Sequence, residues 1–200
     1  MARLILVGGF LLTAAWAIGA VFWRQELRYA LPTPVPHNYR AVAVGSIVEH
    51  HALASGKAYF LHFYNPDCPC SRFNARHVKS MIRAHADSVA MYIVLPSHQD
   101  LPKAQREFAQ QHFIVDEDGT LAQACGVYAT PQAAIVDATG KLFYRGNYNR
   151  TRYCTAKATN FAELSLVALL NKQPSPSFGL LATQAYGCEL TDPESDIELF

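Results

Sequence analysis

After Met1-Ala2-Arg3, residues 4–23 carry no charged side chain. A helix of about 20 residues is about 30 Å long, the thickness of a bilayer's hydrocarbon core, so this run predicts a membrane-spanning helix. A cleaved signal peptide is the alternative: Ala17-Ile18-Gly19 supplies small residues, but the apolar run is longer than the usual stretch of about 7 to 15. Arg3 lies on one side of it and Arg24 and Arg28 on the other, which signals orientation only weakly. Next comes "LPTPVPHNYR", whose Pro32, Pro34 and Pro36 favour an extended, semi-rigid spacer. The stretch "AVAVGSIVEHHALASGK" fits a strand or a short helix equally well.

The pattern then becomes regular. "AYFLHFYN" is aromatic and β-prone and ends in the turn-forming Asn65-Pro66-Asp67, a buried strand. Residues 70–86 place Phe73, His77, Val78, Met81 and Ile82 at helical spacing, with basic residues between them: an amphipathic helix. "SVAMYIVLP" predicts a second buried strand and "DLPKAQREFAQQH" a second helix. "FIVDEDGTLAQACGVYATP" predicts a short strand, a turn and a short helix. "QAAIVDATGKLFYRGNY" alternates about Ala138-Thr139-Gly140, a hairpin, and "NFAELSLVALLNK" forms a closing apolar-faced helix. This order predicts an α/β domain with a central mixed sheet flanked by helices. The chain divides into an anchor at residues 1–24, a linker at 25–40, a domain at 41–172 and a tail at 173–200 that ends acidic and packs back in part.

Charge narrows the function. The 17 basic and 16 acidic residues leave a net charge of +1, too weak a field to gather nucleic acid. The apolar leader suggests export, which would put the five cysteines, Cys68, Cys70, Cys125, Cys154 and Cys188, where disulfides persist. An odd number leaves at least one thiol unpaired within the chain.

Cys68 falls at the carboxyl end of the first core strand, where open α/β sheets place their sites, and where the next helix begins. Pro69 suits the first helical position, which leaves Cys68 as the cap. Backbone N–H groups and the helix dipole favour thiolate there; such positions lower a thiol pKa from about 8.5 to roughly 3.5–7.5. Asp67 opposes this, whereas Arg72 and Arg76 favour it.

These residues resemble the thioredoxin-like superfamily, particularly its membrane-anchored, extracytoplasmic thiol–disulfide oxidoreductases and redoxins. The resemblance rests on "FLHFYNPDCPCS", on "GVYATPQAAIVD" and on "GKLFYRGNY", and it extends to a bacterial group with a "CPCSRFN" signature. It implies a thioredoxin-like sheet, Cys68 as the exposed attacking thiol, and a cis peptide at Thr130-Pro131 that binds an incoming chain. One departure stands out: the family's second cysteine position is Ser71, and Cys70 sits one residue early. In a regular helix the side chains of Cys68 and Cys70 diverge by about 200°, so a bond between them requires a local non-helical turn.

The expected function is thiol–disulfide exchange by a membrane-tethered oxidoreductase on the extracytoplasmic, periplasmic side. Cys68 and Cys70 are its catalytic pair, Thr130 and Pro131 its binding edge, and protein thiols or disulfides its partners, with no organic cofactor. Cys125, Cys154 and Cys188 are alternative resolving or structural cysteines. Cys125 reads as a small buried hydrophobe. Cys154, whose thiolate Arg150 and Arg152 favour, could pair with Cys188 and fasten the tail. Two other classes stay open: a copper(I) carrier using Cys68 and Cys70 with a distant histidine, and a redox-inactive binding or assembly module. A peroxide-reducing site ranks lower, because no threonine lies three residues before Cys68. His62 reads as a packed core histidine, and Phe63 and Phe73 as core.

Overall fold

The computed structural model describes residues 2–24, 31–54, 56–151, 154 and 156–190. Arg28 and Arg152, the start of the linker and the acidic end of the tail lie outside the described residues.

Helix α1 (Ala2–Phe22) is long and apolar enough to cross a membrane, and none of its apolar span Ile5–Phe22 is buried by the rest of the chain. The domain begins after the linker. Residues 42–54 form neither strand nor helix; the segment lies along the hairpin, with a single bridge between Ile47 and Lys141. Strand β1 (Tyr59–Phe63) leads into α2 (Pro69–His85), followed by β2 (Ala90–Leu95), α3 (Leu101–Glu107), β3 (His112–Val115) and α4 (Thr120–Cys125). Then come β4 (Ala129–Thr130), β5 (Gln132–Val136), β6 (Leu142–Gly146), α5 (Phe161–Leu170), α6 (Leu180–Thr183) and β7 (Cys188–Glu189).

Five strands form one mixed sheet in the order β3-β2-β1-β5-β6. β1, β2 and β3 are parallel, and β5 runs antiparallel to both β1 and β6. The two-residue side-chain period of β1 divides the core. Phe60 and Tyr64 join α2 and α5 on one face, through Val78, Met81, Ala162 and Leu166. Tyr59, Leu61 and Phe63 join Leu121, Ala122 and Cys125 of α4 on the other. The hairpin turn is fixed by Asp137, whose Oδ1 accepts from the backbone N–H groups of Thr139 and Lys141 at 2.8 and 3.0 Å.

Helix α2 starts as its sequence dictates. Pro69 occupies its first turn, Cys68 is its extended cap residue, and Arg83 and His85 sit in its last turn, where positive charge complements the dipole. Its buried stripe is Cys70, Ser71, Asn74, Ala75, Val78, Met81 and Ile82. Phe73 is 44% exposed, contrary to its reading as core. At about 100° per residue it lies about 140° around the helix from Val78.

Residues 173–190 of the tail stay on the domain. Gly146 has φ +154, and a Cβ there would lie 2.0 Å from the Ala182 carbonyl oxygen, so the tail backbone rests directly on the end of β6. Asn147 Nδ2 donates to the carbonyl oxygens of Leu181 and Gln184 at 2.8 and 2.6 Å, and Asn147 N donates to that of Ala182 at 2.8 Å. Ala182 and Ala185 are fully buried. From this clamp the chain runs to β7, which pairs antiparallel with β4: Ala129 faces Glu189 and Thr130 faces Cys188.

Candidate functional site

The site forms where the start of α2, the β4–β5 junction and β7 meet. The Thr130-Pro131 peptide is cis, as the resemblance implied. Cys68 Sγ lies 3.5 Å from the Thr130 carbonyl oxygen. Asn65 shapes the approach to the helix: its Oδ1 accepts from Asp67 N at 2.8 Å and its carbonyl from Cys68 N at 3.1 Å. The Asp67 carboxylate is paired with Lys103 Nζ at 2.8 and 2.7 Å. That pairing offsets the charge which, in the sequence, opposes a Cys68 thiolate.

The sulfur of Cys68 is bonded to Cys188, not to Cys70; the two Cα atoms are 6.0 Å apart across 120 residues of sequence. This corrects the expected Cys68–Cys70 pair, and the reason is local. Because α2 is regular from Pro69 onward, the Cys70 side chain turns away from Cys68 into the domain, where it is 3% exposed. The expected Cys154–Cys188 bridge is likewise absent. Cys154 packs beside α2 and its thiol donates to Asn74 Oδ1 at 2.9 Å, while Cys188 is held against β4. Burial pushes the Cys154 thiol up to about 12, the opposite of the activation its basic neighbours suggested. Cys70 and Cys154 both line a cavity of about 60 Å³ beside Pro131 and Tyr186.

Cys125 is fully buried, as expected of a small hydrophobe, and burial followed by the nearby Asp116 charge pushes its thiol up to about 12. Cys68 is 2% exposed, not the open thiol that the resemblance implied, because β7 covers it. While bonded to Cys188, its sulfur has no thiolate to offer a copper ion. Among the described residues, no group of three or more His, Cys, Asp and Glu converges as a metal site.

His62 is a buried core histidine. Its Nδ1 pairs with the Tyr148 hydroxyl at 2.8 Å, and desolvation, followed by the neighbouring His77, lowers its pKa to about 3. It stays neutral and serves packing. Two residues with no motif to announce them complete the site. Asn147 clamps the tail, and Gly187 lets it approach: a Cβ there would lie 2.1 Å from the Thr130 carbonyl oxygen. The one available signal was the pair Gly187-Cys188 followed by Leu190 in a region otherwise lacking period.

The chain belongs to the family described as domain of unknown function DUF6436, whose family model matches residues 42–189. No curated protein matches it. Its fold is shared with an uncharacterized conserved protein from Geobacillus kaustophilus, at 16% identity and a TM-score of 0.64, covering 80% of this chain and 97% of that one. A hypothetical protein from Sinorhizobium meliloti 1021 is similar at 16% identity and a TM-score of 0.61, covering 76% and 96%. A Chlorobium tepidum protein described as a thiol:disulfide interchange protein DsbE is similar at 18% identity and a TM-score of 0.52, covering 65% and 99%. At these identities the likeness concerns the fold, which is thioredoxin-like.

Proposed function

We propose that this thioredoxin-like member of its family exchanges thiols and disulfides with partner proteins, and that Cys68 and Cys188 are its redox couple. The observation that carries this reading is the Cys68–Cys188 disulfide, formed at the start of α2 and beside the Thr130-Pro131 edge. In the reduced form the Cys68 thiolate, favoured by the α2 N-terminus, attacks a partner disulfide. One partner sulfur becomes bonded to Cys68 and the other leaves as a thiolate. The Cys188 thiolate then attacks Cys68 Sγ, releases the second partner thiolate and leaves the Cys68–Cys188 bond. The partner gains two electrons and the couple loses two. A donor thiol then attacks Cys188, the less buried of the two cysteines, and Cys68 departs as the stabilised thiolate; a second donor thiol attacks the donor sulfur of that mixed disulfide, releasing Cys188 as a thiolate and leaving the two donor sulfurs joined.

Thr130 and Pro131 form the edge that the partner meets, and the exchange needs no organic cofactor. Helix α1 tethers the domain to the membrane on its extracytoplasmic side, a reading supported by the apolar span of α1 and by the persistence of disulfides in such compartments. The likeness to a protein named for thiol:disulfide interchange agrees with it.

The test is single-turnover exchange between the reduced full chain and a protein disulfide, with alkylated cysteines mapped by mass. The expected products are a Cys68–Cys188 bond in the native chain, a stable mixed disulfide at Cys68 in Cys188→Ser, and no exchange in Cys68→Ser. No exchange by the reduced native chain would leave a redox-inactive binding module as the better reading, and equal exchange by Cys68→Ser would move the attack to another cysteine.

A further inference from the structure

Residues 187–190 are a polypeptide already seated on the edge beside Cys68, and their positions are unequal. Gly187 carries the strictest requirement. A Cβ there would lie 2.1 Å from Thr130 O and 3.0 Å from Thr130 C; both are backbone atoms, which no rotamer change moves aside. Its φ of +152 also disfavours other residues. Cys188 faces Thr130 and carries the sulfur. Glu189 is exposed and imposes no demand. Leu190 N donates to Tyr128 O at 3.1 Å, and its side chain packs against the α4 side of the core. There it borders a cleft of about 370 Å³ lined by Tyr39, Arg40, Ala122, Val127 and Tyr128.

We infer that the β4 edge reads an extended Gly-Cys-x-aliphatic segment, and that a partner protein carrying one takes the place of β7. This rests on the exchange reading and adds the substrate class. β7 and the incoming strand need the same backbone groups of Tyr128 and Thr130, so only one is seated at a time. The partner's cysteine arrives as a disulfide. Cys68 thiolate attacks it, the Cys68–partner S–S bond forms, the partner's former S–S bond breaks, and its other sulfur leaves as a thiolate. Cys68 is oxidised and the leaving sulfur is reduced.

The experiment uses the reduced full chain with Cys188→Ser, which keeps Cys68 from re-forming its own disulfide. The probes are extended peptides whose cysteine is activated as a thiopyridyl disulfide: Gly-Cys-Ser-Leu, Ala-Cys-Ser-Leu and Gly-Cys-Ser-Asp. Thiopyridone release gives the rate, and mass mapping places the product on Cys68. Replacing the glycine or the leucine should slow the reaction by at least about tenfold each, since an added methyl forced into packed backbone is an overpacking cost and an acid at the apolar position is a desolvation cost. Dithiodipyridine, too small to need the edge, reports the reactivity of Cys68 without it once mass mapping separates the Cys68 product from any at Cys70, Cys125 or Cys154. Equal peptide rates, or inert peptides beside fast dithiodipyridine, overturn the inference and leave exchange standing. A Cys68 inert to every probe overturns both. In the otherwise native full chain, Gly187→Ala should lower the ratio of oxidised to reduced Cys68–Cys188 at least about tenfold at a fixed glutathione ratio; an unchanged ratio also overturns the inference.

Discussion

Cys68 and Cys188 are joined across 120 residues, so one covalent bond ties the start of α2 to the strand contributed by the tail. A cross-link closing so long a loop removes much of the freedom of the unfolded chain, typically worth about 2–4 kcal/mol. Urea unfolding with and without reductant should therefore show reduction lowering stability by about that amount. Cys188→Ser should lower the oxidised value equally and make it insensitive to reductant. A native midpoint unmoved by reductant would contradict this.

The tail is also held without the bond: Thr33 donates from its N–H and its hydroxyl to the carbonyl oxygens of Ala185 and Gly187 at 2.9 and 3.3 Å, and Asn147 anchors the segment before them. Its buried amide donates to Leu181 O and Gln184 O, and removing it leaves both carbonyls short of a donor. Asn147→Ala should cost about 2–3 kcal/mol. It should also speed reduction of Cys68–Cys188 by a small thiol, because β7 would leave β4 more often. Asn147→Ala with native reduction kinetics would mean that β7 is held by β4 and Thr33 without help from Asn147.

Four of the five cysteines should separate into two classes when the reduced, folded chain is alkylated near pH 7. Cys68 and Cys188 should label readily. Cys125 and Cys154, each pushed up to about 12 by burial, should label only on unfolding, since the thiolate is the reacting form. Peptide mass mapping over time checks this, and rapid labelling of Cys154 in the folded chain would contradict its placement beside Asn74.

The pattern of the chain carried most of the domain. Alternation in β1, the apolar stripe of α2 and the turn before β6 were legible because each repeats with the period of its element. Cys68 at the strand-to-helix junction was legible for the same reason. Its partner was not. β7 is two residues long, too short for any period, and its pairing with β4 depends on a tail path fixed by Asn147 and Gly146, far away in sequence. Disulfide connectivity follows from such paths and not from spacing. The neighbouring cysteine therefore drew the assignment, although the regular helix beginning at Pro69 separates their side chains.

His62 ties stability to pH. It is buried as a neutral ring against Tyr148, and burial lowers its pKa from 6.5 to about 3. The unfolded chain thus binds a proton below about pH 6.5 that the folded chain refuses until about pH 3. The stabilisation is fully present above pH 6.5 and is lost as pH falls through that window. His77, lowered chiefly by burial and opposed by Glu163, adds to it in the same direction. Urea midpoints of the oxidised chain should therefore decline between pH 7 and pH 4.5, by an amount on the order of a few kcal/mol for His62 alone. His62→Gln keeps a partner for the Tyr148 hydroxyl but does not titrate, so its decline should be shallower. If native and His62→Gln chains fall in parallel, the acid sensitivity comes from other groups.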